Sequence, residues 1–169
     1  MDRRVTQANI MLKHFSKHQV QLIDYCTPEV LEIDDEHLSL KLPLNQKTQN
    51  HLGSMYFGAL AIGADIAAGL MAMELASNSG LDVSLAFKSV QGDFHRRPED
   101  DVVFRCNQGK DIREMLEMSN QTGERINKPI TVTATCPTKD GTQPVATFTL
   151  TLSLKIVPSS ISSPVEIIS

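Results

Sequence analysis

The sequence predicts an α+β protein in which an antiparallel sheet wraps around one long helix. Residues 55–76 are almost all small or apolar, which is typical of a helix that is buried on most sides. Several stretches before and after this run alternate apolar and polar residues, which is the pattern of half-buried strands. Strands joined in one sheet can cover most of such a helix, so the two observations together predict this architecture.

The other elements are predicted in chain order from the same periodicities. At the N-terminus, apolar residues spaced three and four apart over residues 8–23 predict one amphipathic helix that ends before Thr27 and Pro28. Strands are predicted at residues 30–33, 38–44, 83–87, 101–107, 132–136 and 146–156. A helix over residues 112–121 is predicted between the fourth and fifth strands, with Asp111 as its N-cap and Gly123 as its stop.

Length and composition predict a single domain over residues 1–157, including the N-terminal helix. A chain of 169 residues can bury a full core without disulfides or metals. Residues 158–169 are rich in serine and proline and are predicted to form a flexible tail. The three cysteines lack C-x-x-C spacing, and no apolar segment follows the N-terminal arginines, so we expect a cytoplasmic protein.

Charge and spacing argue against three other classes of protein. The net charge of −4 and the pI near 5.7 disfavour a nucleic-acid binder. A membrane span over residues 55–76 is disfavoured because Asp65 near its centre would cost about 2.5–3.5 kcal/mol. His14 and His18 lie four residues apart, but no third ligand is apparent, so no metal site is predicted.

Asp65 is the most informative residue, because it is an acid near the centre of the apolar run. Such a carboxylate must stay hydrated, find hydrogen-bond donors or take a raised pKa, and an active site can use that situation. A structural acid, or one that pairs across a dimer axis, is the alternative. Upstream, residues 50–58 form a polar turn with glycines that leads into the helix, whose free N–H groups can hold a carbonyl oxygen.

This segment resembles the pattern N-x-x-G-x-x-H-G-G, followed by a helix acid, of the PaaI-like acyl-CoA thioesterases, which have the hotdog fold. Four residues fall on the pattern with matching spacing: Asn50, Gly53, Gly58 and Asp65. Tyr56 stands where the family has histidine, and Phe57 stands where it has the first of the paired glycines. The order of elements over residues 30–157 resembles the hotdog fold more coarsely.

The resemblance implies hydrolysis of an acyl-CoA or a related acyl thioester, with no cofactor beyond the coenzyme A of the substrate. It assigns Asp65 as general base or nucleophile and Asn50 as the residue that positions water or the carbonyl. The amides of Phe57 and Gly58 would polarise the thioester oxygen, since oriented donors stabilise an oxyanion.

Four further residues are candidates for substrate binding: Gly53, Tyr56, Arg96 and Arg97. The Tyr56 phenol can donate a hydrogen bond but would not exchange protons easily at neutral pH. Arginine forks suit the phosphates of coenzyme A, so Arg96 and Arg97 are predicted to hold them. A solvated loop balanced by nearby acids is the alternative for these two arginines.

A homodimer or a dimer of dimers is expected, because a single sheet leaves an edge strand open. The main alternative to an enzyme is a non-catalytic acyl-thioester or fatty-acyl binding protein, since the pattern's histidine and one glycine are missing. A structural protein whose dimer interface is its only site is a third alternative. An open helix start after Tyr56 would favour catalysis, whereas a Phe57 ring that fills the channel would favour binding alone.

Overall fold

The structure is a computed structural model that describes residues 2–159, and within this range it contains five helices and six strands. In chain order they are α1 (Arg3–His18), α2 (Gln21–Tyr25), β1 (Glu29–Ile33), β2 (Leu38–Leu42), α3 (Phe57–Asn78), β3 (Asp82–Phe94), β4 (Val102–Cys106), α4 (Gly109–Thr122), β5 (Ile126–Thr135), α5 (Pro137–Asp140) and β6 (Pro144–Val157). The order of the main elements is the one that the sequence predicts.

The six strands form one sheet in the order β1-β2-β4-β5-β6-β3, and every neighbouring pair is antiparallel. Helix α3 lies against the sheet and contacts β2, β3, β4, β5 and β6. Helix α4 packs beside α3 and against β5 and β6. A sheet that covers a long central helix confirms the predicted α+β architecture.

Helix α3 approaches the sheet closely because its residues are small. Ala64, Ala67 and Ala68 are fully buried, at 0% exposure. At Gly63, a Cβ atom would lie 2.3 Å from the ring of Phe104, which is itself fully buried. Only a glycine fits at this point of contact between helix and sheet.

Helix α3 is long and apolar enough to cross a membrane by length and composition alone. In this protein 78% of its most apolar 18-residue window is buried, so the helix forms the core. The cytoplasmic location stays a prediction.

Helix α1 is fastened to α3 and covers the outer edge of the sheet at β1. The Arg4 guanidinium donates to both carboxylate oxygens of the buried Glu74, at 2.7 and 2.9 Å. The Asn9 side chain forms two hydrogen bonds with the backbone of Val30: it accepts one from the N–H (2.9 Å) and donates one to the carbonyl (3.0 Å). These bonds occupy backbone groups on the free edge of β1.

The opposite edge, formed by the 13-residue strand β3, is open. Within residues 2–159, no backbone group outside β6 hydrogen-bonds the backbone of β3. Val90 is 60% exposed and Phe94 is 54% exposed along this strand. An exposed edge with apolar side chains favours pairing with another chain.

Two local predictions are corrected by the structure, and one short helix was not predicted. The N-terminal helix is broken at Val20, whose backbone is not helical (φ −135°, ψ 81°), and the chain turns there so that Ile23 becomes buried. Helix α4 begins at Gly109, with Gln108 in the N-cap position, because the Asp111 carboxylate accepts hydrogen bonds from the side chains of Gln108 and Lys128 instead of capping the helix. The four-residue helix α5 has no sequence periodicity that would predict it.

Another local prediction is confirmed. Gly123 ends α4 with a left-handed backbone (φ 71°), the conformation that glycine adopts most easily. The predicted tail falls mainly on residues 160–169, which lie outside the described residues.

The two glycines of α3 that face the sheet differ in the space beside them, so their alanine variants should differ in stability. Gly63→Ala should destabilise the fold by about 1–3 kcal/mol, because its methyl group would overlap the Phe104 ring. Gly69→Ala should be neutral or stabilising by up to about 1 kcal/mol, because its methyl group would make ordinary contacts at 3.8 Å and alanine favours helix.

Urea unfolding of the two variants and the wild type measures this difference. Equal midpoints for the two variants would show that the sheet is not held against α3 at Gly63.

Candidate functional site

Asp65 lies in an apolar cavity of about 180 Å³ between α3, the N-terminal helices and β3. We call it the acid cavity. Twelve described residues line it: Leu12, Phe15, Val20, Ile23, Asp65, Ile66, Gly69, Leu70, Met73, Leu85, Ala86 and Phe87. Asp65 is the only charged residue among these twelve. The cavity therefore combines an apolar space with one carboxylate.

The position of Asp65 on α3 explains the lining of the cavity. Gly69 and Met73 follow it at intervals of four residues, so the three lie along one stripe of the helix. At Gly69 the helix has no side chain that would enter the cavity. Sequence reasoning missed Gly69 and Met73 as site residues, although their spacing from Asp65 was a signal that could have found them.

The Asp65 carboxylate has a raised pKa because burial penalises its charged form. Among residues 2–159, no group donates a hydrogen bond to it and no basic side chain pairs with it. The side chain is only partly buried, so water or a ligand can reach it. A carboxylate in this setting is a stronger base than one in water.

Asn50 and the residues that follow it line a second pocket, of about 310 Å³, which we call the turn pocket. Its lining residues are Asn50, His51, Ser54, Met55, Tyr56, Phe57, Leu60, Phe94, Arg96, Arg97 and Pro98. The Asn50 side-chain oxygen accepts hydrogen bonds from the N–H groups of Leu52 (2.9 Å) and Ser54 (3.1 Å). Asn50 thus shapes the turn with its oxygen, while its side-chain NH₂ forms no hydrogen bond within the described residues.

The start of α3 carries two exposed aromatic rings. Tyr56 is the N-cap residue and has no side-chain capping bond, and the N–H groups of Phe57 and Gly58 have no acceptor among residues 2–159. The Tyr56 ring lies against Gly58, where a Cβ atom would be 2.4 Å from the ring. Phe57 is 60% exposed and lines the turn pocket, where its ring lies beside those of Tyr56 and Phe94, with centroids 4.6 and 6.4 Å away.

Gly53 is in the turn before this helix and has a positive φ of 76°. Its N–H donates to the Asn50 carbonyl at 3.1 Å, which closes the turn. A left-handed backbone of this kind favours glycine. The geometry gives Gly53 a conformational role in the turn.

Arg97 and Arg96 are already engaged within the chain. The Arg97 guanidinium donates to the Ser54 hydroxyl and to the Leu52 carbonyl, both at 2.9 Å, so it braces the turn. The Arg96 guanidinium donates to the Gln143 side chain at 3.2 Å and lies 3.6 Å from the Asp140 carboxylate. The contacts of Arg96 are therefore longer than those of Arg97.

The acid cavity and the turn pocket share no lining residue. Gly58 and Asp65 are seven residues apart on one helix, which corresponds to about 10 Å. The N–H group of Gly58 and the Asp65 carboxylate of one chain therefore cannot both contact the same carbonyl group. A single chain holds the two groups of candidate site residues apart.

Residues 2–159 contain no group of three or more histidine, cysteine or acidic side chains that could hold a metal ion. The rings of His14 and His18 lie near each other, with centroids 4.7 Å apart on α1. They face neither the acid cavity nor the turn pocket, since neither residue lines them.

The antiparallel sheet around a long central helix, with the acid of that helix in a cavity, defines a hotdog-fold protein. The chain belongs to the family described as domain of unknown function DUF4442, which matches residues 13–154. No curated protein matches the sequence.

Solved structures of low sequence identity share the fold. A protein of unknown function from Chlorobaculum tepidum is 14% identical, with 88% of this chain and 93% of that chain covered and a TM-score of 0.75. A candidate thioesterase from Shewanella oneidensis is 15% identical, with coverage of 94% and 100% and a TM-score of 0.74. A thioesterase from Haemophilus influenzae is 11% identical, with coverage of 89% and 94% and a TM-score of 0.59. At such identities the similarity establishes the fold alone.

The raised pKa of Asp65 makes a prediction about stability against pH. A carboxyl group whose pKa is raised by folding stabilises the protein fully below its ordinary value of 3.8, and this contribution is lost as the pH rises through the folded value. Asp65→Asn should therefore unfold at a higher temperature than the wild type at pH 7, with about 2–4 °C for each kcal/mol gained.

The difference should shrink as the pH falls to about 3, where the unfolded carboxyl group is protonated as well. Thermal unfolding followed by circular dichroism between pH 3 and pH 8 measures it. A difference that does not change with pH would show that packing, and not ionisation, separates the two proteins.

Proposed function

We propose that this protein hydrolyses an acyl thioester, such as an acyl-CoA, with Asp65 as general base or nucleophile. The observation that carries the proposal is the Asp65 carboxylate, which has no partner within residues 2–159 and faces an apolar cavity. The cavity suits the acyl chain, and the raised pKa suits a base that must take a proton from water. Two of the three structurally similar proteins described above carry thioesterase names, which supports the same reaction class.

The donors for the thioester oxygen are the open N–H groups at the start of α3. The tetrahedral intermediate carries negative charge on that oxygen, and the helix start favours negative charge through its dipole. Removing one comparable donor costs about 2.7–4 kcal/mol in other enzymes. We assign this role to the amides of Phe57 and Gly58, and we assign the side-chain NH₂ of Asn50 to the attacking water or the carbonyl.

The separation of the two pockets leads us to propose a site shared between two copies of the chain. The acid cavity touches the first half of β3, at Leu85, Ala86 and Phe87, and the turn pocket touches its last residue, Phe94. If the open β3 edges of two copies pair antiparallel about a two-fold axis, the first half of one strand lies beside the last half of the other. Each acid cavity then faces the turn pocket of the second copy.

This dimer explains two other features of β3. Its open edge gains hydrogen-bond partners, whereas the edge at β1 is already covered by Asn9. The exposed Val90 and Phe94 side chains become buried in the interface. The proposal of a homodimer thus rests on the same strand that brings the two pockets together, and pairing of two such dimers remains compatible with it.

For the phosphates of coenzyme A we retain Arg96 as the candidate ligand. Its guanidinium side chain is 49% exposed and its ion pair with Asp140 is long, so a phosphate can replace that contact. Arg97 is better assigned to positioning, because its two bonds at 2.9 Å hold the turn that presents Asn50.

One observation favours the alternative of acyl-thioester binding without hydrolysis. The Tyr56 ring lies against Gly58, and this residue occupies the position of the histidine in the thioesterase pattern. A ring that kept substrate away from the Gly58 amide would leave binding intact and remove turnover. Release of thiol from a panel of acyl-CoAs separates the two functions directly.

Replacing Asp65 tests its chemical role. Asp65→Asn should lower kcat at least tenfold, and typical general-base contributions are about 10²–10⁴-fold, while the fold is retained. Asn50→Ala should lower kcat more than it raises KM if the amide acts mainly in the transition state. An Asp65→Asn protein with wild-type turnover would remove Asp65 from the mechanism.

Mixing the two variants tests whether the site is shared. If Asp65 and Asn50 of different chains act together, a mixed dimer has one intact site and one doubly altered site. Co-refolding equal amounts of the Asp65→Asn and Asn50→Ala proteins should then recover about a quarter of the wild-type activity, because half of the dimers are mixed. Recovery of no activity above the average of the two variants would place both residues in a site within one chain.

The dimer itself makes a prediction of mass. The wild type should have at least twice the 18.6 kDa chain mass in light scattering at micromolar concentration. Val90→Asp should give a folded monomer with little activity, because two carboxylates would lie near the proposed axis. Leu22→Asp on α2, where the wild-type residue is 62% exposed, is the matched control and should stay dimeric. A monomeric wild type with full activity would contradict the shared site.

A further inference from the structure

The acid cavity is short, and a methionine separates its far end from the next groove. Along α3, the distance from Asp65 to Met73 corresponds to about 12 Å. Met73 lines both the acid cavity and a neighbouring surface groove, whose other lining residues are Met11, Ser77, Gly80, Leu81, Asp82 and Val83. The half-buried Met73 side chain is therefore the wall between the two spaces.

Gly69 lies between Asp65 and Met73 on the face of α3 that lines the cavity. A Cβ atom at Gly69 would lie 3.8 Å from the side chains of Leu85 and Phe87 on β3. These are ordinary contact distances, so an alanine would fit and would fill the space between helix and strand. The absence of a side chain at Gly69 keeps the cavity continuous from Asp65 to Met73.

The volume of the cavity limits what can enter it. An apolar cavity of about 150 Å³ in another protein binds benzene, so a cavity of about 180 Å³ has room for one aromatic ring or an aliphatic chain of similar size. Eleven of the twelve lining residues are apolar, which disfavours an acyl group with polar substituents beyond the thioester.

We infer that the acid cavity selects compact, apolar acyl groups, one ring or a chain of roughly six to eight carbons, with Gly69 keeping it open and Met73 ending it. This inference rests on the proposed function, since it takes the acyl group of the thioester as the occupant. Gly69 and Met73 are then the residues that determine substrate length. An acyl chain longer than the cavity would have to displace the Met73 side chain.

Thiol release from acetyl-, hexanoyl-, octanoyl-, benzoyl-, dodecanoyl- and palmitoyl-CoA tests the limit. For the wild type, kcat/KM should rise from acetyl to hexanoyl, octanoyl and benzoyl, and should fall at least tenfold at dodecanoyl. All six compounds carry the same coenzyme A, so differences among them report the acyl group alone. Equal kcat/KM from octanoyl to palmitoyl would overturn the inference.

Two variants should move the preference in opposite directions. Gly69→Ala should lower the ratio of octanoyl to acetyl turnover about tenfold, since one methylene in an apolar pocket changes kcat/KM by about 10–200-fold. Met73→Ala should raise the ratio of dodecanoyl to hexanoyl turnover by a similar factor, because the cavity then joins the groove. Met118→Ala on α4, where the methionine is 52% exposed, is the matched control and should change neither ratio. Ratios that stay constant in both cavity variants would overturn the inference.

Binding separates failure of this inference from failure of the proposed function. Calorimetric titration of the Asp65→Asn protein with hexanoyl-CoA and dodecanoyl-CoA measures selection by size without turnover. Tighter binding of hexanoyl-CoA, together with no thiol release by the wild type, would retain the size limit and remove the hydrolase. Equal binding of both compounds, together with thiol release by the wild type, would remove the size limit and retain the hydrolase. No binding of either compound, together with no thiol release by the wild type, would remove both.

Discussion

Helix α3 can lie close to the sheet because the residues that face the sheet are small, and the other elements are arranged around this contact. Glycine and alanine side chains let the helix lie where larger residues would hold it away, and at Gly63 the ring of Phe104 occupies the space of a side chain. Strands β2 to β6 all contact the helix, so the curvature of the sheet follows its surface. Small residues lose little side-chain entropy on burial, and the helix can be covered on most sides at low cost.

The same use of small residues creates the acid cavity. Where α3 turns its stripe of Asp65, Gly69 and Met73 toward β3, the missing side chain at Gly69 leaves a space that the N-terminal helices close from the other side. The Arg4–Glu74 ion pair fastens α1 over this space, and burial of a paired charge is tolerated where an unpaired one is not. Asp65 is the exception, since it has no such partner within residues 2–159, and its raised pKa is the consequence.

One edge of the sheet is covered by α1 and the other is open, and the proposed shared site depends on this difference. At one edge, the Asn9 side chain forms hydrogen bonds with the backbone N–H and carbonyl of Val30. At the other edge, the outer backbone groups of the long strand β3 have no backbone hydrogen-bond partner within the described residues. Two-fold pairing of β3 is the arrangement in which an antiparallel edge satisfies itself with a second copy. In the proposed dimer, this pairing would also join the acid cavity of one chain to the turn pocket of the other, which the length of α3 prevents within one chain.

The order of the elements and the candidate residues at Asn50 and Asp65 were readable in the sequence, because periodicity and motif spacing are local properties. The break at Val20 and the start of α4 at Gly109 could not be predicted, because both depend on contacts with distant residues. Ile23 is buried in the core, and the Asp111 carboxylate accepts a hydrogen bond from Lys128 instead of capping the helix. The structural roles of Arg97 and Gly53 in the turn likewise needed the folded chain.

The sequence alone was enough to predict a helix of small residues, with Asp65 near its centre, inside an antiparallel sheet, because the pattern of small residues and the period-2 strands admit few other architectures. The sequence could not show that Asp65 and Asn50 of one chain line different pockets, or that Arg96 and Arg97 form hydrogen bonds within the chain. The reason is that spacing along a chain fixes which face of a helix a residue occupies, whereas the partner that faces it is set by how helices, strands and loops pack together.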